Sequence, residues 1–186
     1  MRHWLVKSEP DAYSLDDLAR DRRTEWDGVR NYQARNFMRD EMRVGDLVLF
    51  HHSGADPAGI AGVAKVVRAG HPDHTAWTVG HPHHDPKSTP DEPIWAMVDL
   101  AFVERFPSLV PLAALRADPA LAGMALLQRG QRLSVLPVEA LHFKRVLALG
   151  RRGAPSAHGA GVDAALRGKA ATARSTGARS PRPKTS

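Results

Sequence analysis

Cysteine is missing from all 186 residues, so neither a disulfide framework nor a thiolate metal site is open to this chain. Nothing then calls for an oxidising compartment, and a cytoplasmic address is the expectation. Long apolar runs are missing too. The start, Met1-Arg2-His3-Trp4-Leu5-Val6-Lys7, has an apolar stretch of only three residues before charge returns, too short for the core of a signal peptide. No later segment approaches the roughly 20 apolar residues of a membrane span. Several enzyme signatures are also absent: the chain has no Walker sequence, no dinucleotide fingerprint, no nucleophile elbow and no paired-carboxylate motif. Binding is therefore favoured over catalysis, and no cofactor is expected.

What is present begins with charge. The net charge of +6 suggests a nucleic-acid partner until it is divided along the chain. Residues 151–186 hold eight Lys or Arg and one acid, Asp163, a net of +7, which leaves residues 1–150 at −1. The basic stretch contains no aromatic residue and only Val162 and Leu166 as large aliphatics. Such a segment cannot bury enough apolar surface to offset its ordering entropy. The expected organisation is one folded domain over 1–150 followed by a disordered basic tail over 151–186. Any attraction to phosphate comes from the tail or from a local patch.

Within the first 150 residues, Trp4-Leu5-Val6-Lys7 predicts a short strand, and Ser14 three residues before Asp17 predicts a capped helix start. Asn31 can cap a second helix over 32–42, with Ala34, Phe37, Met38 and Met42 on one face. Val44-Gly45-Asp46 is a turn into Leu47-Val48-Leu49-Phe50, apolar on both alternating faces, as a strand covered on both sides would be. Residues 59–67 follow as a partner strand. A loop rich in His and Pro spans about 70–93, with a short strand expected around Trp77, and residues 95–106 form the next long strand. Pro111 and Pro119 start short helical turns, Arg132-Leu133-Ser134-Val135 is the last strand, and an amphipathic helix over 138–149 ends at Gly150. Strands around one core with short helices between them, and no βαβ alternation, indicate an α+β fold built as a small β-barrel.

Four segments carry more than fold information. They are Trp4-Leu5-Val6-Lys7-Ser8-Glu9-Pro10; Trp26-Asp27-Gly28-Val29-Arg30-Asn31-Tyr32-Gln33-Ala34-Arg35-Asn36; Gly45-Asp46-Leu47-Val48-Leu49-Phe50-His51-His52-Ser53 with Gly59-Ile60-Ala61-Gly62-Val63 behind it; and Arg132-Leu133-Ser134-Val135. In this order they resemble the EVE domain family, which is related to the PUA and ASCH barrels and to the YTH readers of methylated adenine in RNA. The resemblance implies a PUA-like β-barrel whose mouth holds a pocket for one nucleobase, a modified one, in DNA or RNA. His51 stands where the family usually has Tyr before His-Ser, and Leu136 where Gln commonly precedes the last-strand proline. The loop Gly80-His81-Pro82-His83-His84-Asp85-Pro86-Lys87-Ser88 keeps an Asp-Pro-Lys-Ser but replaces an aromatic pair with histidines.

A pocket that reads one base needs a flat π surface and directional donors and acceptors, because stacking alone tolerates any base. Trp26 offers the largest face, Gly28 permits close backbone approach beside Val29, Asn31 carries an amide, and Tyr32 adds a ring with a polar tip. Lys7, Ser8 and Glu9 end the first strand, His52 and Ser53 end another, and Ser134 lies on the last. These polar ends can converge at a barrel mouth, with Ser8, Ser53 and Ser134 as hydrogen-bond partners and Lys7 or Arg35 for a phosphate. Ordinary structural roles compete: core packing for Trp26, helix capping for Asn31, a surface pair for Lys7 and Glu9. Ten histidines raise the question of a metal, with His81, His83, His84, His71 and His74 as candidates. Pro82 separates His81 from His83 and no recognised ligand spacing accompanies them, so no metal is expected. The alternatives to a nucleobase-binding module are a hydrolase-like enzyme acting on a nucleotide or other small ligand, and a protein-interaction domain with a vestigial pocket.

Overall fold

Successive side chains on an extended strand point to opposite faces, and the chain uses both faces to build core. The computed structural model of the protein describes residues 1–152. Strands β1 (His3–Ser8), β2 (Arg23–Trp26), β3 (Leu47–His52), β4 (Gly59–Pro72), β5 (Ala96–Pro111) and β6 (Val135–Val138) form one six-stranded sheet in the order β2-β5-β4-β3-β1-β6. β1 and β3 run parallel, from His3 opposite Leu47 to Ser8 opposite His52, and the other pairings are antiparallel. The ladder does not close, because among the described residues β2 and β6 do not pair. The expected small barrel is thus an open one, bent by the register shifts that interrupt the long β4–β5 pairing.

One face of the sheet gathers Trp4, Val6, Phe50, Val98 and Leu100, and the other Leu5, Leu49, Ile60, Val63 and Leu136. On the first face lie Leu15 and Leu18 of α1 (Leu15–Asp21) and Ala34 of α2 (Tyr32–Asn36). On the second lie Leu115 of α3 (Leu112–Ala117) and Phe143 and Val146 of α4 (Ala140–Arg152). Val48, Leu49 and Phe50 are all fully buried, which explains the unbroken apolar run of β3. Each such side chain stabilises the fold by about 1.5–3 kcal/mol relative to an exposed one. Helix α1 starts on a capping box: Ser14 Oγ accepts from the Asp17 amide at 3.1 Å while Asp17 Oδ2 accepts from the Ser14 amide at 2.9 Å.

Local readings differ from the structure in five places. The expected strand at Trp77 is a 3-10 turn, His74–Trp77, because the Asp73 carboxylate caps it by accepting from the Thr75 amide. The last strand begins only at Val135. It carries Pro137 because β6 is an edge strand, where a missing N–H breaks no ladder beyond β1. The second helix tightens and then loosens, α2 giving way to a π turn over Phe37–Glu41. Gly150 does not stop α4, which continues to Arg152. Its hydrogen is needed because a Cβ there would lie 2.3 Å from Phe106 Cδ2. Strand β2 has no apolar alternation and was not expected; it forms as the opposite edge of the sheet, paired to β5. The basic stretch expected to be disordered lies, beyond Arg152, outside the described residues.

Candidate functional site

The ends of β1 and β2 sit on the side of the sheet that α1 covers, and a cavity of about 430 Å³ opens between them. That size falls in the usual small-ligand range of about 300–1,000 Å³. β1 contributes Lys7 and Ser8 to its wall, and the segment into α1 contributes Tyr13. β2 and the turn that follows supply Thr24 and Glu25, then Trp26 to Arg30 in unbroken succession, while Ser134 comes from the residue before β6 and His83 from the 78–93 loop. A second depression of about 480 Å³, lined by residues such as Arg2, Asp40, Glu41 and Arg43, has no aromatic wall.

Trp26 serves the core and the cavity at once. It is 7% exposed, meets Phe50 edge to face at 5.4 Å, and presents its remaining surface to the cavity. Beyond it the chain turns through Gly28 at φ +72°, a left-handed conformation that disfavours a side chain. Space forbids one as well, since a Cβ on Gly28 would sit 2.2 Å from His83 Cε1. The turn is held from behind by Asp73, fully buried, which accepts from the Gly28 amide at 3.0 Å and from Arg30 Nη1 at 2.6 Å. Its other oxygen accepts from the Thr75 amide and hydroxyl. Burial pushes the Asp73 carboxyl up, but hydrogen bonds from Arg30, Thr75 and Gly28 outweigh it and hold the pKa below the usual carboxylate range. Arg30 also donates from Nε to the His83 carbonyl at 3.0 Å and lies over the Trp95 ring, 5.3 Å from its centroid. One arginine thus ties the Trp26 turn, the Asp73 cap and the histidine loop together.

The polar groups on the opposite wall are partly committed. Ser8 Oγ donates to the Tyr13 carbonyl at 2.7 Å, which leaves its lone pairs as acceptors. Lys7 Nζ donates to the Gln131 carbonyl at 3.3 Å, and burial pushes its pKa below the ordinary lysine value. The Lys7 amide donates to the Ser134 carbonyl at 2.9 Å, which fastens the Ser134 segment to β1. Next to Lys7 in register, His51 is buried and neither of its ring nitrogens has a hydrogen-bond partner.

Of the residues singled out in the sequence, Lys7, Ser8, Trp26, Gly28, Val29 and Ser134 line the cavity. The other half do not. Asn31 Oδ1 is taken by the Gln33 and Ala34 amides as the cap of α2. Tyr32, 60% exposed, stacks on Trp95 at 5.0 Å outside the cavity, and Arg35 lies over it while donating to the Ile94 carbonyl and to Asn36. His52 Nε2 accepts from the Leu15 amide at 3.1 Å, the Ser53 amide donates to the Ser8 carbonyl, and Glu9 is exposed beside Gly54. Sequence reasoning missed Tyr13, Thr24, Glu25, Asp27, Arg30 and His83. Asp27 and Arg30 belong to the quoted Trp26–Asn36 segment, so their neighbourhood was visible there. His83 was seen only as a metal candidate, and nothing local to Tyr13 signalled a site.

The structure also brings Asp27, His81 and His83 together, each offering one donor atom and all three atoms lying within 4.8 Å of one another. His71 and His74 are engaged elsewhere, with Asp99 at 2.8 Å and Glu25 at 2.9 Å.

A family model described as EVE domain matches residues 2–149. The human protein named thymocyte nuclear protein 1 is 43% identical over 166 residues, covering 79% of this chain and 73% of its own length. The crystal structure of human THYN1 protein in complex with 5-methylcytosine-containing DNA aligns with a TM-score of 0.77 at 40% identity, covering 83% of this chain and all of that one. Protein PSPTO5229 from Pseudomonas syringae aligns with a TM-score of 0.76 at 44% identity, covering 78% of this chain and 97% of that one.

Proposed function

The chain belongs to the EVE domain family, and on that premise we propose that it is a non-enzymatic module that takes one modified nucleobase of DNA or RNA into the cavity beside Trp26. The observation that carries this reading is the wall itself. An indole faces a cleft of base-holding size whose other side offers serine and lysine groups at strand ends, with the turn between them pinned by a buried carboxylate. A base entering there stacks on Trp26 and meets acceptors and donors at Ser8, Ser134 and Lys7, which together supply affinity and discrimination. Human THYN1, the structural relative that holds 5-methylcytosine DNA, makes a 5-methylated cytosine in DNA the first base to test.

Catalysis is disfavoured by the cavity's own bonding. Ser8 directs its proton to a backbone carbonyl rather than to a base, so it is not set up as a nucleophile. The cytoplasmic address expected from the cysteine-free sequence remains part of the proposal, although the human relative is named a nuclear protein. Among the described residues no helix is long and apolar enough to cross a membrane.

The test is a titration of the full chain against matched oligonucleotides carrying cytosine or 5-methylcytosine, single- and double-stranded, at two salt concentrations. Tighter binding to one modified base at both salts supports the reading. Equal affinity for all bases, with a steep salt dependence alone, would mean charge without a base pocket.

A further inference from the structure

We propose that Asp27, His81 and His83 form a binding site for one divalent transition-metal cation of the zinc class at the rim of the cavity. Two imidazoles and a carboxylate are a donor set that suits such ions, and the nitrogen donors disfavour magnesium or calcium. The sequence hides this site, because its carboxylate lies more than fifty positions from its histidines. The fold supplies it by docking the histidine loop on the turn after β2.

The donor atoms lie within 4.8 Å of one another, with His83 Nδ1 at 3.7 Å from Asp27 Oδ2. Ligands of a tetrahedral zinc ion, each about 2.0–2.2 Å from the metal, stand roughly 3.3–3.5 Å apart. Closing that gap takes only small rotations of side chains that are one third to two fifths exposed. His83 Nδ1 is buried and has no hydrogen-bond partner, so no hydrogen bond has to be broken for it to meet a cation. His81 Nδ1 accepts only a long 3.2 Å bond from the His83 amide, which a metal bond replaces.

The support around the donors is already built. Arg30 holds the His83 carbonyl, and the bare Cα of Gly28 gives the His83 ring its seat. Asp27 and His83 both line the cavity, so three protein ligands leave a coordination position for an acceptor on whatever enters it. The site stands on these three residues and does not depend on the nucleobase reading.

The experiment is a cobalt(II) titration of the full chain at pH 7.5, followed by visible absorption, with zinc competition and calorimetry. The expected result is one equivalent bound, with tetrahedral or five-coordinate cobalt bands that zinc abolishes. Asp27→Asn, His81→Gln and His83→Gln, each shown folded by circular dichroism, should weaken binding at least about tenfold. His84→Gln, an exposed neighbour outside the trio, should bind as the parent does. The proposal is overturned if cobalt does not saturate below about 1 mM, or if folded Asp27→Asn and His83→Gln match the parent. The second outcome assigns the binding to scattered surface histidines. Because no oligonucleotide is present, neither result bears on nucleic-acid binding.

Discussion

Gly28→Ala strikes the wall of the cavity in two separable ways. A Cβ at φ +72° costs about 1–2 kcal/mol for the left-handed backbone. The same atom, 2.2 Å from His83 Cε1, forces the imidazole off its seat, an overpacking cost of about 1–2 kcal/mol because the ring can swing toward solvent. The sum is about 2–4 kcal/mol, which lowers the melting midpoint of a domain this size by roughly 5–15 °C. Removing the ring should remove the second part only. In a His83→Ala background, Gly28→Ala should cost about 1–2 kcal/mol, and the cycle should show a coupling of similar size. Urea denaturation of the four proteins measures each term. An equal cost in both backgrounds refutes the packing of His83 on Gly28, and no cost in either refutes the left-handed turn.

Three further outcomes follow from the same network and from the charge of the chain. Asp73→Asn removes the charge that the Arg30 guanidinium and three other donors, the Gly28 amide and the Thr75 amide and hydroxyl, hold in place and should cost about 3–5 kcal/mol in urea denaturation; a loss below about 1 kcal/mol contradicts the clamp. Burial, with Lys7 and His52 beside it, lowers the His51 pKa from 6.5 to about 4, so the unfolded chain gains its proton first. That contribution is fully present above about pH 6.5, declines toward pH 4, and totals at most about 3 kcal/mol; His51→Phe should flatten that part of the stability–pH profile, and an unchanged profile refutes it. Truncation after Arg152, which removes six Lys or Arg and one Asp, should weaken oligonucleotide binding regardless of base and flatten its salt dependence; an unchanged salt slope shows that the tail makes no phosphate contact.

The strength of local signals decided what the sequence made legible. β1, β3 and the Ser14 capping box follow from patterns within a few residues, and the structure has them where expected. β2 was invisible because Arg23-Thr24-Glu25 has no apolar alternation; its partner β5, more than seventy positions away, makes it a strand. The candidate site divides along the same line. Trp26, Gly28 and Val29 sit in one contiguous turn, so a motif could place them together. Asn31 and Tyr32 continue that motif but are turned away by α2, whose cap and whose Trp95 contact claim them. His83 and Tyr13 reach the cavity only through long-range docking, by Arg30 and by α1, which no spacing encodes.

The central claim is that a base stacks on Trp26 in this cavity. It is tested most directly by titrating the parent, Trp26→Ala and Trp26→Phe against a 5-methylcytosine oligonucleotide and its unmodified counterpart, after circular dichroism has shown each protein folded. Losing one base–aromatic stack should cost Trp26→Ala about 1–3 kcal/mol, roughly a 5- to 150-fold weaker Kd, with Trp26→Phe in between because a ring remains. A folded Trp26→Ala that binds the preferred oligonucleotide as tightly as the parent contradicts the claim and leaves Trp26 as a core residue packed on Phe50.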